Sequence, residues 1–157
     1  MDDIEISPAT DEEAAALLER SKETYVEGLQ GRRGLTAEEA SAKADADTGR
    51  LVPDGGRTPG AVFLTARQDG RVLGGVWAAV QGPDREGEAW IYFLWVDPAE
   101  RRRGLGRRLV ERTAADVRSR GAAHLALNVF GDNTAAIALY EALGFRVGAQ
   151  QMTLPLS

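Results

Sequence analysis

The sequence predicts one mixed α/β domain, residues 1–157, with elements running βααββ and then βαβαβ. Three observations carry this. Thr10-Asp11-Glu12-Glu13 and Thr36-Ala37-Glu38-Glu39 are two capping boxes, each of which opens a helix. Asp69-Gly70 separates two apolar stretches, as in a two-residue hairpin. Ala89 to Val96 is an uncharged run that leads through a glycine-rich stretch into a helical pattern, as a strand does on entering a parallel crossover.

In chain order, Ile4-Glu5-Ile6 alternates and is stopped by Ser7-Pro8, so it reads as a short first strand. A helix over about 11–28 follows, ended by Gly28 and the Gly31-Arg32-Arg33-Gly34 turn. The second helix starts after Thr36 and is expected to end near Gly49. Residues 53 to 60 hold three glycines and two prolines and read as a loop. Strands are expected over 61–66 and 72–80, then a turn over Pro83 to Gly87, then a strand covered on both faces over 89–96. Leu105, Leu109, Val110, Ala114 and Val117 recur at helical spacing, and Gly121 is a stop signal. His124 to Phe130 is a further strand. Asp132-Asn133 caps a last helix that Gly144 closes, and the tail from Phe145 is expected to complete the sheet.

Composition narrows the chemistry. A chain of 157 residues, 43% apolar and 27% charged, can bury a core of its own. It has no cysteine, so disulfides, thiolate metal sites and a cysteine nucleophile are excluded, and no metal is expected. No apolar stretch approaches the ~18 residues of a membrane span, and the first residues do not resemble a secretory signal; a cytoplasmic location without membrane partners is the expectation. Net charge is -5, unevenly spread: residues 1–60 carry 14 acids against 7 bases, and residues 101–120 carry 8 arginines against 2 acids. A small basic region on an acidic protein suits a compact anion better than a polynucleotide, which needs an extended basic face.

That region is Arg101-Arg102-Arg103-Gly104-Leu105-Gly106-Arg107-Arg108, between a strand and an amphipathic helix. A helix start leaves main-chain N–H groups unpaired and adds partial positive charge, while Gly104 and Gly106 admit a ligand close to the backbone. A pyrophosphate fits there. Neither G-x-x-x-x-G-K-[ST] nor G-x-G-x-x-G is present; the match is to R-x-x-G-x-G over Arg101 to Gly106.

Val96-Asp97-Pro98, this R-x-x-G-x-G, and Asn133-Thr134-Ala135-Ala136-Ile137-Ala138-Leu139-Tyr140-Glu141-Ala142-Leu143-Gly144-Phe145 stand in order and on the expected elements. From Ala89 to Phe145 the chain resembles the core of the GNAT superfamily of acetyl-CoA-dependent N-acetyltransferases. The resemblance implies a GNAT-like mixed sheet with splayed central strands, and acetyl-CoA as cosubstrate with CoA as product. It implies that Arg101, Arg102, Arg103, Gly104, Leu105, Gly106 and Arg107 surround the pyrophosphate, and that the pantetheine arm lies along the strand at Leu94 and Val96. It implies further that Asn133 helps hold the arm and that Tyr140 protonates the departing thiolate.

Many members of the family carry a glutamate on the central strand to deprotonate the amine. Here Tyr92 stands at that position, without an acid at 91 or 93, and Glu88 precedes the strand, from where it could act through water. The function expected is direct acetyl transfer to an amine of a small molecule or peptide, with a non-catalytic acyl-CoA sensor as the alternative. The apolar tail could support a homodimer. Trp90, Tyr92, Phe93, Trp95 and Trp77 are expected to pack the central strands, with half of them facing an acceptor channel. The lone His124 reads as structural.

Overall fold

The computed structural model describes residues 3–80 and 87–156, so most of the expected Pro83 to Gly87 turn lies outside the described residues. The chain forms two compact units, one ending at Leu127 and the other beginning at Asn128.

The first unit is a five-stranded mixed sheet with helices on both faces. Its strands are β1 (Glu5–Pro8), β2 (Ala61–Gln68), β3 (Arg71–Val80), β4 (Glu88–Val96) and β5 (His124–Leu127), in that spatial order. The pairs from β1 to β4 are antiparallel, and β5 joins β4 in parallel. The hairpin forms where expected: Asp69 (φ 52°) and Gly70 (φ 79°) both take the left-handed conformation a tight turn between twisted strands needs.

Helices α1 (Asp11–Arg33) and α2 (Ala37–Leu51) open on the two capping boxes, with both reciprocal hydrogen bonds made in each. α1 runs through Gly28 and Gly31 and ends at Gly34, whose φ of 65° marks the true cap. A glycine inside a helix costs only about 1 kcal/mol, so it does not stop one; a left-handed residue does. α3 (Leu105–Ser119) packs on the opposite face. The glycines of β3 show both layers: a Cβ at Gly74 would meet Leu109 of α3 at 3.2 Å, and one at Gly75 would meet Leu17 of α1 at 3.0 Å. Successive strand residues face opposite sides, so β3 is sandwiched between α1 and α3. Leu73, Val76, Leu105, Leu109 and Thr113 are fully buried.

Two expectations are corrected. β5 stops at Leu127, short of Phe130, and residues 145–156 form no strand. An extended segment becomes a strand only when its main chain finds a ladder, which apolar alternation cannot supply by itself. Within the second unit the tail is exposed, with Val147, Met152, Leu154 and Leu156 between 73% and 89% accessible. The remaining helix, α4 (Thr134–Ala142), is closed by Leu143 and by Gly144 at φ 99°.

Candidate functional site

β4 is interior but only partly covered: Ala89 and Ile91 are buried, and Tyr92 to Val96 are half-buried. Its pairing with β3 is interrupted. Trp77 lies opposite Phe93 and Ala78 opposite Ile91, so Tyr92 is the extra residue of a β-bulge. The bulge changes which side chains share a face. Trp77, Tyr92, Phe93 and Trp95 all join the cluster built on Ala14 and Leu17 of α1, although Tyr92 and Phe93 are consecutive. Trp90 lies opposite Ala79, two residues from Trp77, and so faces the same way. All the aromatic residues of β4 therefore lie on the α1 face, where unbroken alternation would have divided them.

On that face the Trp77 ring lies 4.8 Å from Tyr92 and 6.0 Å from Phe63, and the Arg20 guanidinium sits 3.8 Å over the Trp95 ring. Among the described residues the buried Trp77 indole N–H has no hydrogen-bond partner.

The β4–β5 ladder covers Glu88 to Ile91. β4 runs on to Val96, five residues past the last one paired with β5, which stops at Leu127. Leu94 and Val96 lie on this stretch, and Val96 O accepts a bond from Arg101 Nε at 3.2 Å. Glu88, in register with His124, lies at the other end of β4.

The turn after β4 is built in steps. Asp97 N–H donates to Leu73 O of β3 at 2.8 Å, and the Asp97 carboxylate caps a short 3-10 turn over Pro98–Glu100 by accepting from Ala99 N–H. Arg102 then adopts φ 69°, a left-handed conformation rare for a side chain of its size, and Gly104 follows at φ 80° as the N-cap of α3. Glycine has no side chain to cap the first turn, and the first amide with a main-chain acceptor is that of Arg108, bonded to Gly104 O at 3.1 Å. Among the described residues beyond its chain neighbours, nothing lies within 4 Å of where a Gly104 Cβ would stand. Among the described residues the amides of Leu105, Gly106 and Arg107 thus begin a helix without a main-chain acceptor, beside a Gly104 that adds no side chain, and the donors there are N–H groups and guanidiniums. Such a set fits a diphosphate.

The arginines are not equivalent. Arg103 donates to Glu100 Oε2 at 2.5 Å and Arg107 to Glu111 at 2.8 Å, while Arg108 and Arg112 reach the Ile4 and Ile6 carbonyls of the first strand segment. Among the described residues the exposed Arg102 side chain has no partner. Glu100, only 6% exposed, also receives Arg71 at 2.8 Å. Neither Glu100 nor Arg71 stood out in the sequence, where the only hint was an acid three residues before Arg103.

In the second unit, Asn133 is the N-cap of α4, its Oδ1 accepting from Ala136 N–H at 3.2 Å. This leaves its amide NH2 uncommitted to the cap. Tyr140 is half-buried beside Phe145, their rings 5.5 Å apart, and burial raises its phenol above the usual tyrosine value. Among the described residues no cluster of histidines and acids could hold a metal ion, and no helix is long and apolar enough to cross a membrane.

Residues 18–145 match the sequence profile of the Acetyltransferase (GNAT) family. The chain belongs to this family. Among curated GNAT relatives it is 44% identical over 78 residues to a mycothiol acetyltransferase of Streptosporangium roseum, an alignment covering 48% of this chain and 23% of that protein. It is 50% identical over 58 residues to the [ribosomal protein bS18]-alanine N-acetyltransferase of Escherichia coli, covering 37% of this chain and 39% of that one. The chain therefore aligns with well under half the length of either relative. The crystal structure of YycN from Bacillus subtilis superposes with a TM-score of 0.86 at 24% identity, covering 98% of this chain and 99% of the other. An aminoglycoside acetyltransferase from an uncultured soil metagenomic sample gives 0.64 at 26% identity, covering 98% and 99%. The family is thus shared over residues 18–145 and the fold along nearly the whole chain.

Proposed function

We propose that this GNAT acetyltransferase, as one domain over residues 1–157, transfers an acetyl group from acetyl-CoA directly to an amine in a ternary complex. The observation that carries the proposal is the junction of β4 and α3, where a helix start without a side-chain cap follows left-handed Arg102 and Gly104 and leaves its first amides without main-chain acceptors among the described residues. In this reading the amides of Arg102 to Arg107 hold the pyrophosphate, helped by the side chains of Arg101 and Arg102. The main chain at Leu94 to Val96, past the end of the β5 ladder, pairs with the amides of the pantetheine arm as an added strand would. Asn133 supports the arm through the NH2 that its cap leaves over.

When bound, acetyl-CoA supplies a thioester open to attack by an amine. Main-chain N–H groups of β4 stabilise the charge that develops on the carbonyl oxygen, and Tyr140 delivers a proton to the departing sulfur. A thiol has a pKa of ~8.5 and a tyrosine ~10, a gap of modest size. Burial widens it, while ensuring that the Tyr140 hydroxyl carries its proton at neutral pH. With no cysteine in the chain, no protein thiol can carry the acetyl group, which favours direct transfer. Tyr92 in the bulge supplies no carboxylate to take a proton from the amine, and Glu88 stands at the far end of β4, so the substrate is an amine that loses its proton to water. The acceptor is a small molecule or a peptide amine, and the place of action is the cytoplasm.

Thermal melts with CoA, acetyl-CoA and a short RNA test the ligand class, because a ligand that binds only the folded chain raises its melting temperature. CoA and acetyl-CoA are expected to raise it; stabilisation by RNA alone would refute the proposal. Release of free thiol over an amine panel that includes small thiol-bearing amines, aminoglycosides and alanine-ended peptides then tests catalysis. Binding without release under any acceptor would leave the non-catalytic sensor as the correct reading.

A further inference from the structure

We propose that Glu100 positions the diphosphate-binding loop by holding Arg71 and Arg103 on one buried carboxylate, so that the ligand meets main-chain amides and Arg102 in place of Arg103. The inference rests on the functional reading above and concerns a residue outside the family motifs. The Glu100 side chain is 7% exposed, and each of its oxygens takes a different guanidinium: Oε1 that of Arg71 at 2.8 Å, Oε2 that of Arg103 at 2.5 Å. A buried carboxylate is tolerable only when paired, so neither arginine is released cheaply to a second anion.

The consequence falls on Arg102. A bulky residue at positive φ persists only when its surroundings over-determine it. Here its neighbours are pinned on both sides, Arg101 by its bond to Val96 O and Arg103 by Glu100. The same turn is tied to β3 twice, through Asp97 N–H to Leu73 O and through Glu100 to Arg71. Sequence position supports the division of labour. Arg103 precedes the helix cap Gly104, so fixing its side chain fixes where the first amides of α3 point. Arg102, held left-handed between two anchors, projects a guanidinium that none of the described residues engages.

The test uses the full chain and the variants Glu100→Gln, Arg103→Gln and the double change. Three quantities are read: CoA affinity by calorimetry, amide exchange at residues 101–106 without ligand, and kcat and KM for acetyl-CoA. Each single variant is expected to weaken CoA roughly tenfold, about the size of one lost charged hydrogen bond, and the double variant to be no weaker than either. KM for acetyl-CoA rises with kcat near wild type, and exchange at 102–106 accelerates in the ligand-free protein. Wild-type affinity in Glu100→Gln would overturn the proposal. So would additive losses in the double variant, which would place Arg103 itself on the ligand. If Glu100→Gln does not fold, Arg103→Gln decides, since that side chain is 45% exposed: unchanged exchange and affinity there would overturn it. Failure of the wild-type chain to bind CoA at all would instead sink the functional reading, and this assignment with it.

Discussion

Arg67 of β2 grips Glu13 in the first turn of α1 with two nitrogens, Nε to Oε2 at 2.7 Å and Nη2 to Oε1, while Thr65 Oγ1 donates to Oε1 at 3.2 Å. Glu13 is at the same time the acid of the capping box that starts α1. One carboxylate therefore sets where the helix begins and fastens it to the sheet. The Arg67 hydrogen bond is the largest influence on Glu13 and holds its pKa at about 2, against 4.5 in a free side chain.

A carboxyl with a depressed pKa in the folded chain stabilises it fully above the unfolded value and loses that contribution as pH falls through the folded one. Glu13 should therefore contribute constant stability above about pH 4.5 and lose it between there and about pH 2. Glu13→Gln is expected to cost about 2 kcal/mol at pH 7 and to flatten this acid limb. Urea unfolding at pH 7 and pH 3 checks it, and an equal deficit at both would contradict the assignment.

Tyr140→Phe removes the hydroxyl and keeps the packing against Phe145. Turnover is expected to fall by roughly 10²-fold or more while CoA affinity stays near wild type. Steady-state kinetics beside a CoA titration separates the two, and an unchanged kcat would remove Tyr140 from the acid role.

A Cβ at Gly104 meets nothing within 4 Å among the described residues beyond its chain neighbours, so the main stability cost of Gly104→Val is that of the left-handed backbone, about 1–2 kcal/mol. The added side chain would occupy the space proposed for the diphosphate. CoA affinity should drop well beyond what the melting temperature shift explains. Normal affinity would contradict the loop assignment.

Asn133 allows two roles to be told apart. Asn133→Asp keeps an oxygen for the Ala136 amide and loses the NH2, so stability should hold while CoA binding weakens. Asn133→Ala loses the cap as well, costing about 1 kcal/mol. Equal CoA affinity in wild type and Asn133→Asp would confine Asn133 to capping.

Much of this molecule was legible in the chain. The capping boxes fixed the starts of α1 and α2 because their reciprocal bonds are local, closing within three residues. Asp69-Gly70 determined its turn for the same reason, and the motif from Arg101 to Gly106 placed the helix start by its glycines. What is local in sequence is local in energy. The end of α1 was misjudged because Gly28 and Gly31 are cheap inside a helix, and the deciding left-handed residue is three positions on. The short β5 and the strandless tail lay beyond reach because ladders form between distant segments. The same holds for the bulge at Tyr92, which turns every β4 aromatic to one face: it arises from register against β3, and one extra residue inverts all parity after it. Glu100 shows the limit most plainly, since an acid in an arginine-rich turn reads as solvated until the sheet brings Arg71 beside it and burial makes the pairing obligatory.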